Sequence, residues 1–417
     1  MNLKQVLQGT IGVLCGVALT VPLAGCGAGG ASSDAIEVWT SMDTGSAQLK
    51  TLQSLTDKFM QENPGTKINL VPRATTYEED IKVRLAANNA PDIFATHGWS
   101  RDRYAKFLED LSGHEWADKL VDAASDSMQE ENGSLYALPF GINVSAALYN
   151  KTVLDKAGVD PTQIATWDDF MNACEKVKAI GATCVGLPGK DNWQSGGLAD
   201  MSAVGFYDDA KREELKNGTF NVDDYVPVMQ NLKRLADSGY INVDYVSASP
   251  DDLYRLMAQD QMAFSFQGVN FLASLVSYNE NPNVGLMPYP SPEGEPYFTG
   301  GELTAFGVSK SSKHKEAALK YIDFLAETDN MKEMVKVVAQ PSPFTDVPSN
   351  LGNVTESYDY WTKERGIQTE AIFDRAYLPD GIWNTIITTA DGVITGQLTP
   401  QAASEQMKTK YDSLYKK

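Results

Sequence analysis

The sequence predicts an α/β protein with mainly parallel sheets flanked by helices, in a body large enough for two lobes. From residue 36 onward, short runs rich in β-branched and aromatic residues alternate with segments of helical periodicity. Repeated β-α-β units imply parallel strands with helices on both faces. The length of 417 residues fits two domains or one large two-lobed body with a full-sized core.

Each element follows from its pattern. Residues 36–40 read as a strand, Leu49, Leu52, Leu55 and Phe59 recur at helical spacing, and 67–71 return as a strand. Residues 77–89 form a polar-faced helix and 91–95 a buried strand. Ligands of such sheets collect in the loops beyond the carboxyl ends of the strands, here 41–46 and 96–101. A second region follows Leu138-Pro139 and enters a strand at 144–149. Thr166-Trp167-Asp168-Asp169 then opens a helix with a capping-box-like start, Asp standing in for the usual Glu or Gln. A strand at 183–187, helices at 225–238 and 250–259, and a strand at 262–266 come next, the last ending in Gln267-Gly268. Runs 284–289 and 304–309, a helix at 314–326 and a largely helical C-terminal third closing with 399–415 complete the chain.

Composition excludes several classes. An apolar fraction of 42% and an aromatic fraction of 10% are too high for a disordered or collagenous chain. Lys and Arg number 35 against 55 Asp and Glu, a net charge of −20, so no nucleic-acid partner is expected, because phosphate backbones require a basic face. Four cysteines are too few for a disulfide-built scaffold of this size.

The N-terminus reads as a targeting device. Lys4 precedes an apolar stretch at 6–25 interrupted only by Gln8, Thr10 and Thr20, which suits an export signal better than a membrane span. The stretch closes on Leu23-Ala24-Gly25-Cys26, which resembles a bacterial lipoprotein signal cut before the cysteine. The resemblance implies removal of 1–25, lipidation of Cys26 and a flexible Gly/Ala/Ser tether at 26–33. The body is then expected outside the cytoplasm, anchored to the outer face of the cell membrane, with a charge of −21 after loss of Lys4. Cys174 and Cys184 remain, either as a disulfide joining the helix at 167–180 to the strand at 183–187 or as two buried thiols.

A series of short segments carries a wider resemblance. Val38-Trp39-Thr40 with Asp43, Phe59 to Gly65, Pro91-Asp92-Ile93-Phe94, Ala137-Leu138-Pro139-Phe140, Leu148-Tyr149-Asn150-Lys151 and Thr166-Trp167-Asp168-Asp169-Phe170 come in that order. Met262-Ala263-Phe264, Gly300-Gly301-Glu302, Gly307-Val308-Ser309-Lys310 and Gly396-Gln397-Leu398-Thr399-Pro400 continue it. In this order they resemble extracellular solute-binding proteins of the carbohydrate-uptake class, similar to the maltose-binding-protein family of ABC-importer receptors. The resemblance implies a periplasmic-binding-protein-like fold: two hinge-linked lobes of 34–142 plus 268–326 and 143–267 plus 327–417. Chain crossings are implied near 140–143, 266–268 and 326–330. It further implies an oligosaccharide ligand in the interlobe cleft, permease subunits of an ABC transporter as partners, a monomer, and neither cofactor nor metal.

A sugar offers hydroxyls on its rim and C–H groups on its faces, so its site needs planar rings and bidentate polar groups. Trp99 and His97 lie in the loop after the strand at 91–95, and Trp193 follows the strand ending at Leu187-Pro188. Asp43 matches a position where the resembled family uses a carboxylate, and Trp383 one where it stacks a tryptophan. Asn143 and Gln267 fall at the implied crossings. Asn270 stands where many relatives carry an aromatic after a Gly-Pro turn, which puts that stacking platform in doubt or moves it to Phe271. Glu302, after a Gly300-Gly301 turn, is placed to read a hydroxyl across the cleft. Trp39 and Trp167 read as core, and Trp116, among Glu115, Asp118 and Lys119, as a surface or inter-helix residue.

Two rivals remain: an exported glycoside hydrolase using two carboxylates, and the same fold holding a non-sugar solute. No Gly-x-Ser-x-Gly motif is present, and His97, His114 and His314 are isolated, so no catalytic or metal-ligating residues are assigned.

Overall fold

The computed structural model describes residues 34–73, 76–96, 103–130 and 132–415, with the side chains of residues 126, 127 and 270 left outside that description. The signal, Cys26, the tether, His97 and Trp99 therefore lie outside the described residues.

Twelve strands occur among the described residues: β1 (Ala35–Thr40), β2 (Lys67–Pro72), β3 (Ile93–Thr96), β4 (Leu138–Pro139), β5 (Ile142–Ser145) and β6 (Ala147–Asn150), then β7 (Thr183–Val185), β8 (Met262–Ser265), β9 (Val284–Met287), β10 (Phe298–Glu302), β11 (Ala305–Val308) and β12 (Thr369–Ala371). They form three sheets ordered β2-β1-β3-β11-β4, β7-β8-β6-β9 and β12-β10-β5.

The first sheet is the core of one lobe. β1 pairs in parallel with both β2 and β3, as the β-α-β repetition predicts, whereas β11 joins β3 antiparallel. The helix Ala47–Glu62 buries Leu52, Leu55 and Phe59 against this lobe, and Ser46 caps it by accepting the Leu49 amide at 3.1 Å. Asp43 is exposed and gives only its main-chain carbonyl to the Ser46 amide.

The second lobe is built on the β7-β8-β6-β9 sheet. It is mixed: β7 runs parallel to β8, while β6 pairs antiparallel with both β8 and β9. The helix Trp167–Ala179 packs Trp167 and Phe170 on Phe266 and starts in a true capping box, Thr166 and Asp169 each accepting from the other's backbone. Cys174 and Cys184 form a disulfide that pins this helix to β7, with Cα atoms 5.1 Å apart.

The third, small sheet joins the lobes. β5 links β4 of the first lobe to β6 of the second, and β10 links β9 back to β11, the two running antiparallel side by side. The run 144–149, read as one strand, is thus two: it breaks at Ala146 between a crossing strand and a lobe strand.

These pairings relocate two of the three expected crossings. The chain does not return at 266–268: the helix Gly268–Leu275 and β9 stay with the second lobe, and the return is made by β10. Nor does it leave at 326–330, since the helix Thr328–Val338 remains on the first lobe, where Asn330 accepts from Lys58 at 3.0 Å. Departure comes after Phe344, which still bridges Leu120, and before Ser357, whose hydroxyl accepts the Leu286 amide of β9. The boundaries 268–326 and 327–417 are corrected accordingly; local periodicity identifies elements but not the lobe on which each one packs.

Candidate functional site

A cavity of about 270 Å³ opens where the crossing strand β5 meets the second lobe. Its wall carries Asn143 and Ser145 from β5, Trp193, Gln194, Gly197 and Met201 from one helix, Phe266 and Gln267 beyond β8, and Ile372, Asp374, Arg375 and Trp383 from the C-terminal region. Four residues singled out in the sequence, Asn143, Trp193, Gln267 and Trp383, are therefore brought to one place.

The two tryptophans are presented in the same way. Trp193 is the first residue of the helix Trp193–Ala203 and Trp383 the first of the helix Trp383–Ile394. These helices lie against each other with Ile387 so close to Gly196 that an added Cβ would meet its Cγ1 at 2.7 Å. Tyr245 locks the pair, donating to Asp391 at 2.7 Å while Ser195 donates to Tyr245 at 2.9 Å. Trp193 is 43% exposed and donates its indole N–H to Asp191, so its ring faces are held without being covered. Trp383 is half-buried. Such rings offer a rigid apolar face at low entropic cost.

Amides and hydroxyls surround them. Gln267 donates to Gln194, fixing both side chains at the wall. Ser145 donates to Tyr289 at 2.8 Å, and Tyr289 to the Phe266 carbonyl at 3.1 Å, tying β5 to the end of β8. Met201 accepts the Thr299 hydroxyl of β10 at 2.8 Å.

Beneath this wall lies a charged group that sequence reasoning missed. Asp374 and Arg375 are the ionisable residues among the described lining, and Asp374 is only 1% exposed. Its backbone N–H donates to Oδ1 of the fully buried Asp200 at 3.0 Å. Burial raises the Asp200 carboxyl well above the ordinary carboxylate range, and the negative charge of Asp374 adds to it. Burial also raises Asp374, to about 6, held back from going further by the Arg375 cation. No motif signals this pair, because its partners stand 174 residues apart and meet only through packing.

Other candidates fall elsewhere. Phe271 is fully buried with its ring 4.7 Å from that of Tyr254, which makes it core and removes it as a stacking platform. Asn270 sits in the helix Gly268–Leu275, its side chain outside the described residues. Gly300 and Gly301 are no turn: both pair within β10, and Glu302 ends that strand 4% exposed. Trp116 is 4% exposed rather than superficial, donating to Asp323 at 3.1 Å and stacked on Phe344. Asp43 is not part of the cavity wall.

One contact spans the lobes near the site. Arg103, whose neighbour Tyr104 packs on Phe94 of β3, donates to both carboxylate oxygens of Asp380 at 2.7 and 3.3 Å. Asp380 lies three residues before Trp383.

Two α/β lobes, strands crossing between them and a tryptophan-flanked cavity at the crossing define a receptor that captures a ligand between lobes. Residues 44–332 match the model of the bacterial extracellular solute-binding proteins, and the chain belongs to that family, as its sequence resemblance implies. The melibiose/raffinose/stachyose-binding protein MelE of Bacillus subtilis (strain 168) is 30% identical over 410 residues, covering 94% of this chain and 93% of that one. A binding protein of Bacillus subtilis solved in an open conformation superposes with a TM-score of 0.84 at 28% identity, covering 93% of this chain and 99% of the other. A sugar transporter of Bacillus licheniformis in complex with stachyose gives 0.74 at 30% identity, covering 91% and 100%. The family is extracellular and made of binding proteins, and no helix of the described residues is long and apolar enough to cross a membrane.

Proposed function

We propose that this protein captures a galactose-containing oligosaccharide of the melibiose, raffinose and stachyose series in its interlobe cleft and delivers it to the permease of an ABC importer. The observation that carries this reading is the convergence of Trp193 and Trp383, at the starts of two packed helices, with Asn143, Gln194 and Gln267 around one cavity. Rings of that kind stack on sugar faces, and amides donate to and accept from hydroxyls at once. The sugars named for MelE and held in the stachyose complex favour the same ligand class. Asp43 is kept as a first-lobe ligand candidate, His97 and Trp99 rest on their sequence positions alone, and Glu302 is taken to support the crossing strand β10.

Capture proceeds by closure. Ligand favours the closed form only as far as it bonds both lobes better there. The higher score against the open structure than against the stachyose complex agrees with a cleft that is still open. The protein binds without turnover in this reading, in keeping with the binding proteins that make up its family. It acts as a monomer, anchored outside the cell membrane through lipidated Cys26.

Isothermal titration with melibiose, raffinose and stachyose tests this. The expected result is a micromolar dissociation constant, about −8 kcal/mol, for at least one of them. No heat with any of the three, or release of monosaccharide, overturns the reading.

A further inference from the structure

The buried carboxyls of Asp200 and Asp374 form a unit whose chemistry the stacking platforms do not explain. Oδ2 of each is buried and without a hydrogen-bond partner, although Asp374 lines the cavity and receives from Asp200 the acceptor for its own backbone N–H. An unpaired buried carboxylate oxygen costs the full loss of its hydration, so two side by side stand only if one carboxyl is neutral.

The surroundings bear on which one. Asp374 has Arg375 as its neighbour and Asp380 further along the same segment, and it lines the cavity while only 1% exposed. Asp200 is enclosed, with the Asp374 carboxyl beside it, the Arg375 cation opposing that charge, the phenols of Tyr225 and Tyr289 near it and Tyr207 beside Tyr225. Arg212 is paired with Glu370 at 3.0 Å and donates to the Val204 carbonyl at 3.0 Å. The rest of the described cavity wall is uncharged.

We propose that Asp200 is a positioning residue that shares one proton with Asp374, so that the cleft carboxylate accepts a ligand hydroxyl only while the pair holds that single proton. The proposal rests on the sugar reading of the cleft. In acid, Asp374 takes up a proton and loses its acceptor charge; in alkali, Asp200 loses its own and the two carboxylates repel. Burial raises both groups, Asp374 to about 6 and Asp200 well above the ordinary carboxylate range, and the enclosure of Asp200 beside the charge of Asp374 makes it the holder of the shared proton.

Two measurements on the full chain decide it. Carboxyl ¹³C NMR of the aspartate-labelled, ligand-free protein is expected to contain one resonance that stays protonated at neutral pH and vanishes in Asp200→Asn. Calorimetry with raffinose across pH is expected to lose about tenfold in affinity for each pH unit below about 6, and to weaken again in alkali. Asp200→Ala binds weakly at every pH, and Asp200→Asn, which keeps both an acceptor and a donor, recovers most of that loss while lacking the alkaline limb. Ordinary titration of every aspartate overturns the shared proton whatever raffinose does. A persistent acid signal with no raffinose heat at any pH overturns the sugar reading, and the coupling with it. An alkaline limb retained in Asp200→Asn overturns the assignment to Asp200.

Discussion

Trp193 and Trp383 differ in what truncation removes. Trp193 is held at the rim by one indole hydrogen bond, so its removal deletes a stacking face and little packing. Trp193→Ala is expected to weaken raffinose binding by about 1–3 kcal/mol, the range found for stacking on aromatic side chains, with an unchanged thermal midpoint in the absence of sugar. Trp383 is half-buried and abuts the core, so Trp383→Ala should show the same loss together with a lower midpoint. Calorimetry and thermal unfolding on the two variants separate the effects; wild-type affinity in both refutes the platform assignment. Trp193 was legible from its place after a strand end and Trp383 from the family resemblance, whereas a helix start by itself does not decide, since Trp167 at such a start is core. Asp374 was not legible, since nothing in Phe373-Asp374-Arg375 announces that it will be buried beside Asp200 on a wall otherwise charged only by Arg375.

At the scale of elements, what the sequence states well is how helices begin. Thr166-Trp167-Asp168-Asp169 is a local pattern with a local outcome, and the reciprocal hydrogen bonds are present. Hydrogen bonds from Thr166 hold the Asp169 carboxyl below the ordinary range. Its stabilising contribution is therefore present above the unfolded carboxylate range and is lost as pH falls through the lowered value. Thr166→Ala should cost about 1 kcal/mol in urea unfolding near neutrality, and the gap from wild type should narrow in acid. The disulfide acts on the same helix, closing a loop of sequence separation 10. Reduction or Cys174→Ser is expected to remove about 2–3 kcal/mol, mostly through the unfolded chain, and the same urea titration measures it. Strand assignment fared less well where two strands abut. At Ala146 the chain passes from β5 to β6 with no polar or glycine break, and only pairing with β10 on one side and β8 and β9 on the other divides them.

Over the whole molecule, the crossing strands and one ion pair decide how the lobes meet. Gly300 sits in β10 between β5 and β12, where an added Cβ would meet the Asn143 carbonyl at 2.7 Å and Thr369 Cγ2 at 2.8 Å. Backbone cannot yield there as a side-chain tip would. Gly300→Ala should destabilise the fold by about 1–3 kcal/mol, as overpacking does, and blunt the sugar-induced compaction seen by small-angle scattering. The Arg103–Asp380 pair joins one lobe to the other, and Arg103 is raised by its hydrogen bond and charge contact with Asp380 against the opposing effect of burial. Because Asp380 remains half-exposed, the pair is worth no more than about 1 kcal/mol and is screened by salt. Arg103→Ala is expected to enlarge the ligand-free radius of gyration and to make scattering insensitive to added salt. Which lobe each segment joins was the part of the fold hidden from the sequence. Element type is set by neighbours along the chain, whereas lobe membership is set by contacts such as Lys58 with Asn330, 272 residues apart.

The crossing pattern also fixes an order of assembly. The first-lobe sheet needs β11 between β3 and β4, and the Trp193 helix needs the helix Trp383–Ile394 at its side. A chain made from its N-terminus thus holds β1, β2 and β3 together long before their sheet can close, and completes the ligand cavity almost last. A polypeptide cut before residue 383 would keep most of both sheets but lose Trp383 and the buried side chains of Ile386, Ala390, Met407 and Tyr411, so partial synthesis should yield a second lobe that neither packs fully nor grips.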